Sequence, residues 1–439
     1  MARNRERITK IIIRGFKSIY ERQEIDIRPL TILAGANSSG KSSVIQPILL
    51  LKQTIEAPSD PGALLLDGPN VRFTKAEQLI SHILGKNVLN GFTAGLEIDN
   101  ESRLEIEFKR EKKTGYDVSS MLYSSNTEKK PTKITPEMSH DDIVKLLPTL
   151  AKFNQNIDKT ETQWIVIRKK CFLSFELFRV SDKKKIGSFG NYGIVYGSNF
   201  IPHIEALIHL PGLRGNPRRT YPKSAMGPLF PGTFENYAAS IISEWQAKND
   251  DRLKQLGAAL EEMGLTWKVK AERLDDTQVE IRVGRLTHGK RGGASDLVSI
   301  ADVGFGVSQS LPVVTALIAA KPDQIVYLEQ PEIHLHPNAQ RKLAHILKNA
   351  AERGVIVIIE THSSLLLREI QTLVAAGSLD KDLVKLHWFQ RQDDGLSKIH
   401  SAELDENGAF GDWPEDFDEV ELDAEKSYLD AVGIREGIS

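Results

Sequence analysis

The chain has a single cysteine, Cys171. That excludes an internal disulfide framework and a cysteine-rich zinc site. Beside Phe172 the thiol reads as a core residue, and a reducing cytoplasm is its expected setting. Long apolar runs are missing too. The longest, at residues 48–51 and 355–359, fall far short of the roughly 18 residues that span a bilayer. The N-terminus, MARNRERITK, passes from charge into a strand-like run without an apolar signal core, so no membrane partner is expected. Neither sign of charge dominates: 57 Lys and Arg against 59 Asp and Glu leave a net charge of −2. Any nucleic-acid-binding surface must therefore be local. No heptad pattern persists, which argues against long coiled-coil arms, and no internal repeat is visible. What remains is the composition of a folded globular chain, 40% hydrophobic and 26% charged in 439 residues, enough for one large or two to three small domains.

Strand-like runs are expected at residues 8–16, 24–27 and 30–34, and a helix follows through 45–54. Residues 96–108 (GLEIDNESRLEIEF from 95) alternate as a hairpin does. Residues 109–162 are rich in Lys, Ser, Thr and Glu, carry Pro131, Pro136 and Pro148, and read as a mobile surface insertion with one helix near 141–152. Strands return at 164–168, 171–180, 267–271 and 278–283, with helices at 200–208 and 236–262. Residues 325–328 and 355–359 are short, fully apolar runs of the buried parallel-strand kind, followed by helices at 338–352 and 364–376. Residues 403–425 are acidic, with no basic residue among them.

Three stretches carry chemistry. Gly35-Ala-Asn37-Ser38-Ser39-Gly40-Lys41-Ser42 fits the pattern GxxxxGK[ST] between an expected strand and an expected helix. The glycines let successive backbone N–H groups curl around phosphate oxygens at the positive end of the helix. Lys41 would reach the β- and γ-phosphates, and Ser42 would offer its hydroxyl to Mg²⁺. Residues 325–332, IVYLEQPE, place Glu329 at the carboxyl end of a buried strand, where an acid faces Mg²⁺. Thr361-His362-Ser363 closes a second buried run, where a histidine can donate to a γ-phosphate.

Together these resemble an ABC-type ATPase head of the SMC, RecF and OLD kind. The opening Ile-Ile-Ile-Arg14-Gly-Phe16-Lys17-Ser18 resembles that family's first strand and adenine-side loop. Glu329-Gln330-Pro331-Glu332 followed by His334-Leu-His336-Pro337 resembles its Walker B and D-loop, and Thr361-His362-Ser363 its switch-histidine loop. Residues 329–337 and 405–414 also resemble those of stand-alone bacterial AAA-type ATPases, several of which are ATPase subunits of antiphage systems of the Septu and PARIS types.

The resemblance implies an α/β head with a mixed central sheet, an N-terminal β subdomain and an inserted region. Its expected parts are 1–100 with the P-loop, 101–290 as the insert, 291–400 with the remaining motifs, and 401–439 as an acidic tail. It implies ATP and Mg²⁺ as cofactors, with Lys17, Ser18, Asn37, Ser38, Ser39, Gly40, Lys41, Ser42 and Ser43 around the nucleotide. Ser42, Glu329 and, as a Q-loop candidate, Gln78 would stand near the metal. Such heads bind ATP between two protomers. The loop Asp302-Val-Gly304-Phe-Gly306-Val-Ser308-Gln309 lies where their signature loop lies, although its glycines precede its serine, and with His336 it would close over a partner's nucleotide. A homodimer or higher oligomer is expected.

Gln330, Glu329, Glu332 and His362 are the catalytic candidates. A glutamine in the water-polarising position cannot take a proton, so hydrolysis should be slow. The expected role is an ATP-driven dimer controlling a separate nuclease or toxin in phage defence. A RecF-like ATPase acting on DNA is the alternative, with the basic stretch 213–223 as a possible phosphate contact. A nucleotide-sensing scaffold is a third reading.

Overall fold

The computed structural model describes residues 6–99, 101–111, 115–126, 130–147, 162–181, 184–224, 227–286, 288, 296–411 and 426. In chain order, β1 (Ile8–Arg14), β2 (Gln23–Asp26) and β3 (Leu30–Gly35) lead through the P-loop into α1 (Ser42–Glu56). Then come β4 (Gly91–Ile98), β5 (Ser102–Glu111), β6 (Gly115–Ser125), β7 (Thr132–Ile134) and α2 (His140–Leu146). β8 (Thr162–Lys169), β9 (Phe172–Ser181) and β10 (Lys184–Val195) precede α3 (Ile201–Ala206), β11 (Ile208–Leu210) and β12 (Tyr221–Pro222). α4 (Ala238–Ala247), α5 (Asp251–Glu262), β13 (Val269–Arg273), β14 (Gln278–Gly284) and β15 (Leu297–Ser299) follow. The last part is α6 (Phe305–Ala319), β16 (Ile325–Glu329), α7 (Pro337–Glu352), β17 (Ile356–Thr361), α8 (Ser364–Ala375), β18 (Val384–Arg391) and β19 (Ser397–Ala402).

The central sheet runs β11-β16-β17-β3-β18-β19. All its pairs are parallel except β18–β19. The P-loop strand β3 therefore sits inside the sheet, with the strand of the Thr-His-Ser loop beside it and the IVYLE strand one further out. The pleat sorts the apolar runs onto two cores. Leu30, Ile32, Val326, Leu328, Val357 and Ile359 face the core of α4–α8. Leu33, Ile325, Tyr327, Ile356 and Ile358 face the core of α1 and the N-terminal sheet. That second sheet, β2-β1-β4-β5-β6-β7, is antiparallel throughout. The result is a mixed α/β fold in which a largely parallel central sheet stands beside an antiparallel N-terminal β subdomain. Among the described residues, no helix is long enough for a coiled-coil arm or long and apolar enough to cross a membrane.

Three expectations change. Residues 115–126 and 130–134 are not a loose insertion. β6 and β7 extend the N-terminal sheet, and Tyr116, Val118, Met121 and Ile134 are buried in its core. The rest of the expected mobile stretch, at 148–161, lies outside the described residues, as does most of the acidic tail from 412. The helix expected at 200–208 ends at Ala206, because Ile208-His209-Leu210 pairs in parallel with β16 as a buried central-sheet strand. The expected helix at 236–262 is broken at 248–250. Asn249 takes a left-handed φ of 50°, and Asp250 starts α5 by accepting from the Arg252 N–H. Cys171 is buried as expected, and burial pushes its thiol up to about 12.

Candidate nucleotide site

A cleft of about 380 Å³ opens over the start of α1. Lys17, Ser18, Asn37, Ser38, Ser39, Gly40, Lys41, Ser42 and Ser43 line it, and so do Gln330 and His362. Residues from four separated stretches of sequence are thus brought to one place. The backbone pays a conformational cost there: Ser38 and Gln330 are held at φ of 58° and 42°, and Lys17 at 51°. Non-glycine residues in this region cost on the order of 1–3 kcal/mol each and cluster at functional sites. Gly35, at φ 137°, has the Phe389 carbonyl where a Cβ would stand, so no other residue fits that start of the loop.

The Lys41 ammonium donates to the carbonyls of Gly35 and Ala36 at 2.9 and 2.8 Å. Burial holds it below the usual lysine range, against the charges of Glu360 and Glu332. Lys17 donates to Gln46 Oε1 at 2.5 Å and lies 4.7 Å from the centre of the Phe73 ring. Burial brings it down to about 8, with Glu360 opposing. The β18–β19 hairpin closes the other wall. Ser397 Oγ donates to the Ser39 carbonyl and accepts from the Ser18 hydroxyl, and Arg391 donates to the Ser38 carbonyl. The Ser39 hydroxyl is buried with no partner among the described residues.

The carboxylate nearest the P-loop hydroxyl is Glu360. Ser42 Oγ donates to Glu360 Oε2 at 2.9 Å, and the buried Tyr327 hydroxyl donates to Oε1. Burial pushes the Glu360 carboxyl up to about 7; the Glu329 charge adds to this, and the two hydrogen bonds oppose it. Glu329 pairs in register with Glu360 across β16 and β17, yet its carboxylate is engaged elsewhere. His209 Nε2 lies 3.0 Å from Oε1, and the Gly212 N–H donates to Oε2 at 3.1 Å. Asn70 donates to His209 Nδ1, which leaves the Nε2 proton for Glu329. Burial works against the Glu329 charge, but His209, Gly212 and Arg214 outweigh it and hold the carboxyl below its ordinary value.

Glu332 comes back to the site through the turn at Gln330. Its Oε1 accepts from Thr361 Oγ1 and the His362 N–H, both at 2.8 Å. Its Oε2 is buried without a partner, and burial pushes its pKa up against those bonds. Burial, with the Lys41 charge adding, pulls the half-buried His362 ring below the ordinary histidine value, so at neutral pH it is an uncharged hydrogen-bonding group.

Two expected groups stand elsewhere. Gln78 is exposed and caps its own 3₁₀ turn, its Oε1 accepting from the N–H groups of Thr74 and Lys75. Besides Gln330, the glutamine that lines the cleft is Gln46. His336 caps α7, accepting from the Asn338 N–H. The signature-like loop opens onto a different cleft, of about 420 Å³, shared by Ser308, Gln309, Arg214, Arg218 and Tyr221. Gly306 packs beside the His334 carbonyl, which ties this loop to the turn after β16. In the basic stretch, Arg214 is buried and donates to the carbonyls of Gln309, Glu329 and Gln330, so it is not offered to an external phosphate. Arg219 forms an exposed two-fold pair with Asp302.

Glu360, Gln46, Arg391, Ser397 and His209 had not been anticipated. For Glu360 a signal existed: alternation along VIVIIETHS puts it on the same face as Ile358, hence toward α1.

Two sequence families match the chain. Residues 7–186 match "AAA ATPase domain", and residues 232–368 match "AAA domain, putative AbiEii toxin, Type IV TA system". Similarity to AAA-type ATPase domains is thus found on both sides of the 187–231 stretch. None of the curated proteins matches it. Solved structures similar to it include an Smc head bound to the C-terminal winged-helix domain of ScpA, with 14% identity over 91% of this chain and 98% of that one, TM-score 0.49. A second is the SMC head domain from Thermotoga maritima, with 12% identity over 90% and 98%, TM-score 0.40. A third is the Smc head with an extended coiled coil from Pyrococcus furiosus, bound to the C-terminal domain of ScpA, with 13% identity over 91% and 97%, TM-score 0.45.

Proposed function

We propose that the chain binds MgATP in the P-loop cleft, pairs with a second copy around the nucleotide, hydrolyses it slowly, and so switches a separate effector protein. The observation that carries this reading is the division of the site. The phosphate-binding loop, Gln330 and His362 share one cleft, while the signature-like Ser308 and Gln309 belong to another. Each copy then holds two halves that only a second copy can complete. Leu213 lines the second cleft 88% exposed, and Phe305, at the start of α6, is 49% exposed. Such apolar groups beside a polar loop suit an interface that forms and dissolves.

The residues fit the cofactors. Lys41, the positive end of α1 and the unpartnered Ser39 hydroxyl suit phosphate oxygens. The hydroxyl and carboxylate oxygens at Ser42 suit a hard divalent cation. Bound Mg²⁺ would supply charge neutralisation on the β- and γ-phosphates. This chain's own residues then set the rate. Gln330 can orient a water but not deprotonate it, and the buried Glu332 carboxylate fixes the His362 loop. The notion of a separate effector rests on the antiphage resemblance, with which the toxin–antitoxin wording of the second family is consistent.

The experiment is mass measurement by light scattering on the full chain, with and without MgATP, alongside phosphate release. A shift from one copy to two with ATP, and turnover well below one per second, is expected. A monomer that hydrolyses ATP at tens per second would overturn the reading.

A further inference from the structure

Resting on the nucleotide reading above, we infer that the carboxylate this chain offers to the metal of a bound nucleotide is Glu360, on the strand leading to the switch histidine, and not Glu329 at the end of β16. Three observations converge on it. The first is register. Glu329 and Glu360 are paired in neighbouring parallel strands, and the pleat turns both toward α1, as Tyr327 and Ile358 show by their place in that core. Either is therefore eligible by position, and the contacts decide.

The second is the P-loop hydroxyl itself. Ser42 Oγ donates to Glu360 at 2.9 Å. The carboxylate is 4% exposed, fixed from the other side by Tyr327, and lines the nucleotide cleft beside Lys41 and Gln330. A hydroxyl and a carboxylate held on rigid elements make the oxygen pair that Mg²⁺ takes from a protein while keeping waters and phosphate oxygens for its other positions.

The third is that Glu329 is already committed. Both its oxygens are held, one by the buried His209 and one by the Gly212 N–H. His209 is in turn fixed by Asn70, whose amide also donates to the Gly232 carbonyl. Glu329 does not line the nucleotide cleft. Bringing it to Ser42 would leave a buried imidazole and a backbone N–H without partners, which is the expensive outcome for buried polar groups.

The test is calorimetric titration of the full chain with ATP, once in excess Mg²⁺ and once in EDTA. The wild-type chain should bind at least tenfold more tightly with Mg²⁺. Glu360→Gln should lose that gain while its affinity in EDTA stays within threefold of wild type. Glu329→Gln should keep the gain. With Mn²⁺ in place of Mg²⁺, the electron-spin signal of protein-held metal should vanish in Glu360→Gln and persist in Glu329→Gln. Should Glu360→Gln fail to bind ATP even in EDTA, Glu360→Asp serves instead. It draws the carboxylate back from Ser42 and should cut the gain severalfold, and an unchanged gain there overturns the assignment. A gain that tracks Glu329, or that both variants lose equally, overturns it as well while leaving the nucleotide reading intact. A wild-type chain that binds ATP in neither buffer overturns both.

Discussion

The two clefts of this molecule are built in opposite ways. The P-loop cleft collects cations and hydroxyls from distant stretches, with Lys17, Lys41 and Arg391 around it, and two carboxylates, Glu360 and Glu332, are buried at or behind its floor. The signature-side cleft has its main cation, Arg214, turned inward onto three backbone carbonyls, and it presents Arg218 and exposed Leu213 outward. The first carries the groups that the proposed function assigns to a charged ligand. The other is made to be rigid behind and receptive in front. The contrast is what a composite site between two copies requires, and each half can be broken separately.

The largest effect should come from the P-loop side. Lys41→Ala removes the ammonium placed at the positive end of α1, and ATP affinity should fall at least a hundredfold in calorimetry. That corresponds to about 2.7 kcal/mol, in the range for a charge-assisted contact to phosphate. Unchanged affinity would place the nucleotide elsewhere.

The signature side should respond differently. Gly304 has open space where a Cβ would be, so Gly304→Trp can be accommodated within one chain and should obstruct only what docks on it. ATP binding should persist while ATP-dependent pairing and phosphate release fall at least tenfold. Mixing Gly304→Trp with Lys41→Ala chains sharpens the comparison. A mixed pair holds one composite site with an intact P-loop facing an intact signature loop, so activity should partly return. No return on mixing would mean that each chain works alone.

A smaller change, in rate alone, is expected at Gln330. Its side chain lines the cleft, and its N–H is tied to the Glu360 carbonyl at 2.8 Å. Gln330→Glu introduces a general base at the same place, and such assistance is worth about 10²–10⁴-fold. Phosphate release under saturating MgATP should rise by at least tenfold. Equal rates would show that Glu332, or no protein base at all, serves the water.

How much of this was legible depends on distance along the chain. The P-loop, the two buried strand runs and the Thr-His-Ser loop are local patterns, and they fold where the patterns say. The 115–134 strands were masked by composition, because GYDVSSMLYSS alternates small polar and apolar residues that look loop-like until a sheet covers one face. The division between Glu329 and Glu360 was not local at all. It depends on His209, 120 residues before Glu329, on a strand that reads as the end of a helix. Gln78 failed for the reverse reason: its nearest acceptor-seeking groups are its own neighbours, the N–H groups of Thr74 and Lys75, and a glutamine so placed satisfies itself first.

The smallest expected effect is a pH dependence of nucleotide binding carried by Lys17. Burial brings its ammonium down to about 8, from an ordinary value of 10.5. Phosphate oxygens arriving in the cleft would favour the charged form and raise that value again. The complex then binds more protons than the free chain above pH 8, so affinity must fall as pH rises through that range, by at most tenfold per unit for one group. Below about pH 7 both states are fully charged at this position, and Lys17 contributes no slope. Lys41 is also held low by burial and adds a slope of its own. Lys17→Arg separates the two, because a guanidinium does not titrate in this range. It should keep the cation, retain ATP affinity within about threefold at pH 7, and flatten the decline between pH 8 and 9.5 by the share that belongs to Lys17. Calorimetry across pH 6.5–9.5 on both proteins measures this directly. Parallel curves for the wild-type and Lys17→Arg chains would show that Lys17 does not approach the phosphates, and the cation wall of the P-loop cleft would reduce to Lys41 and Arg391.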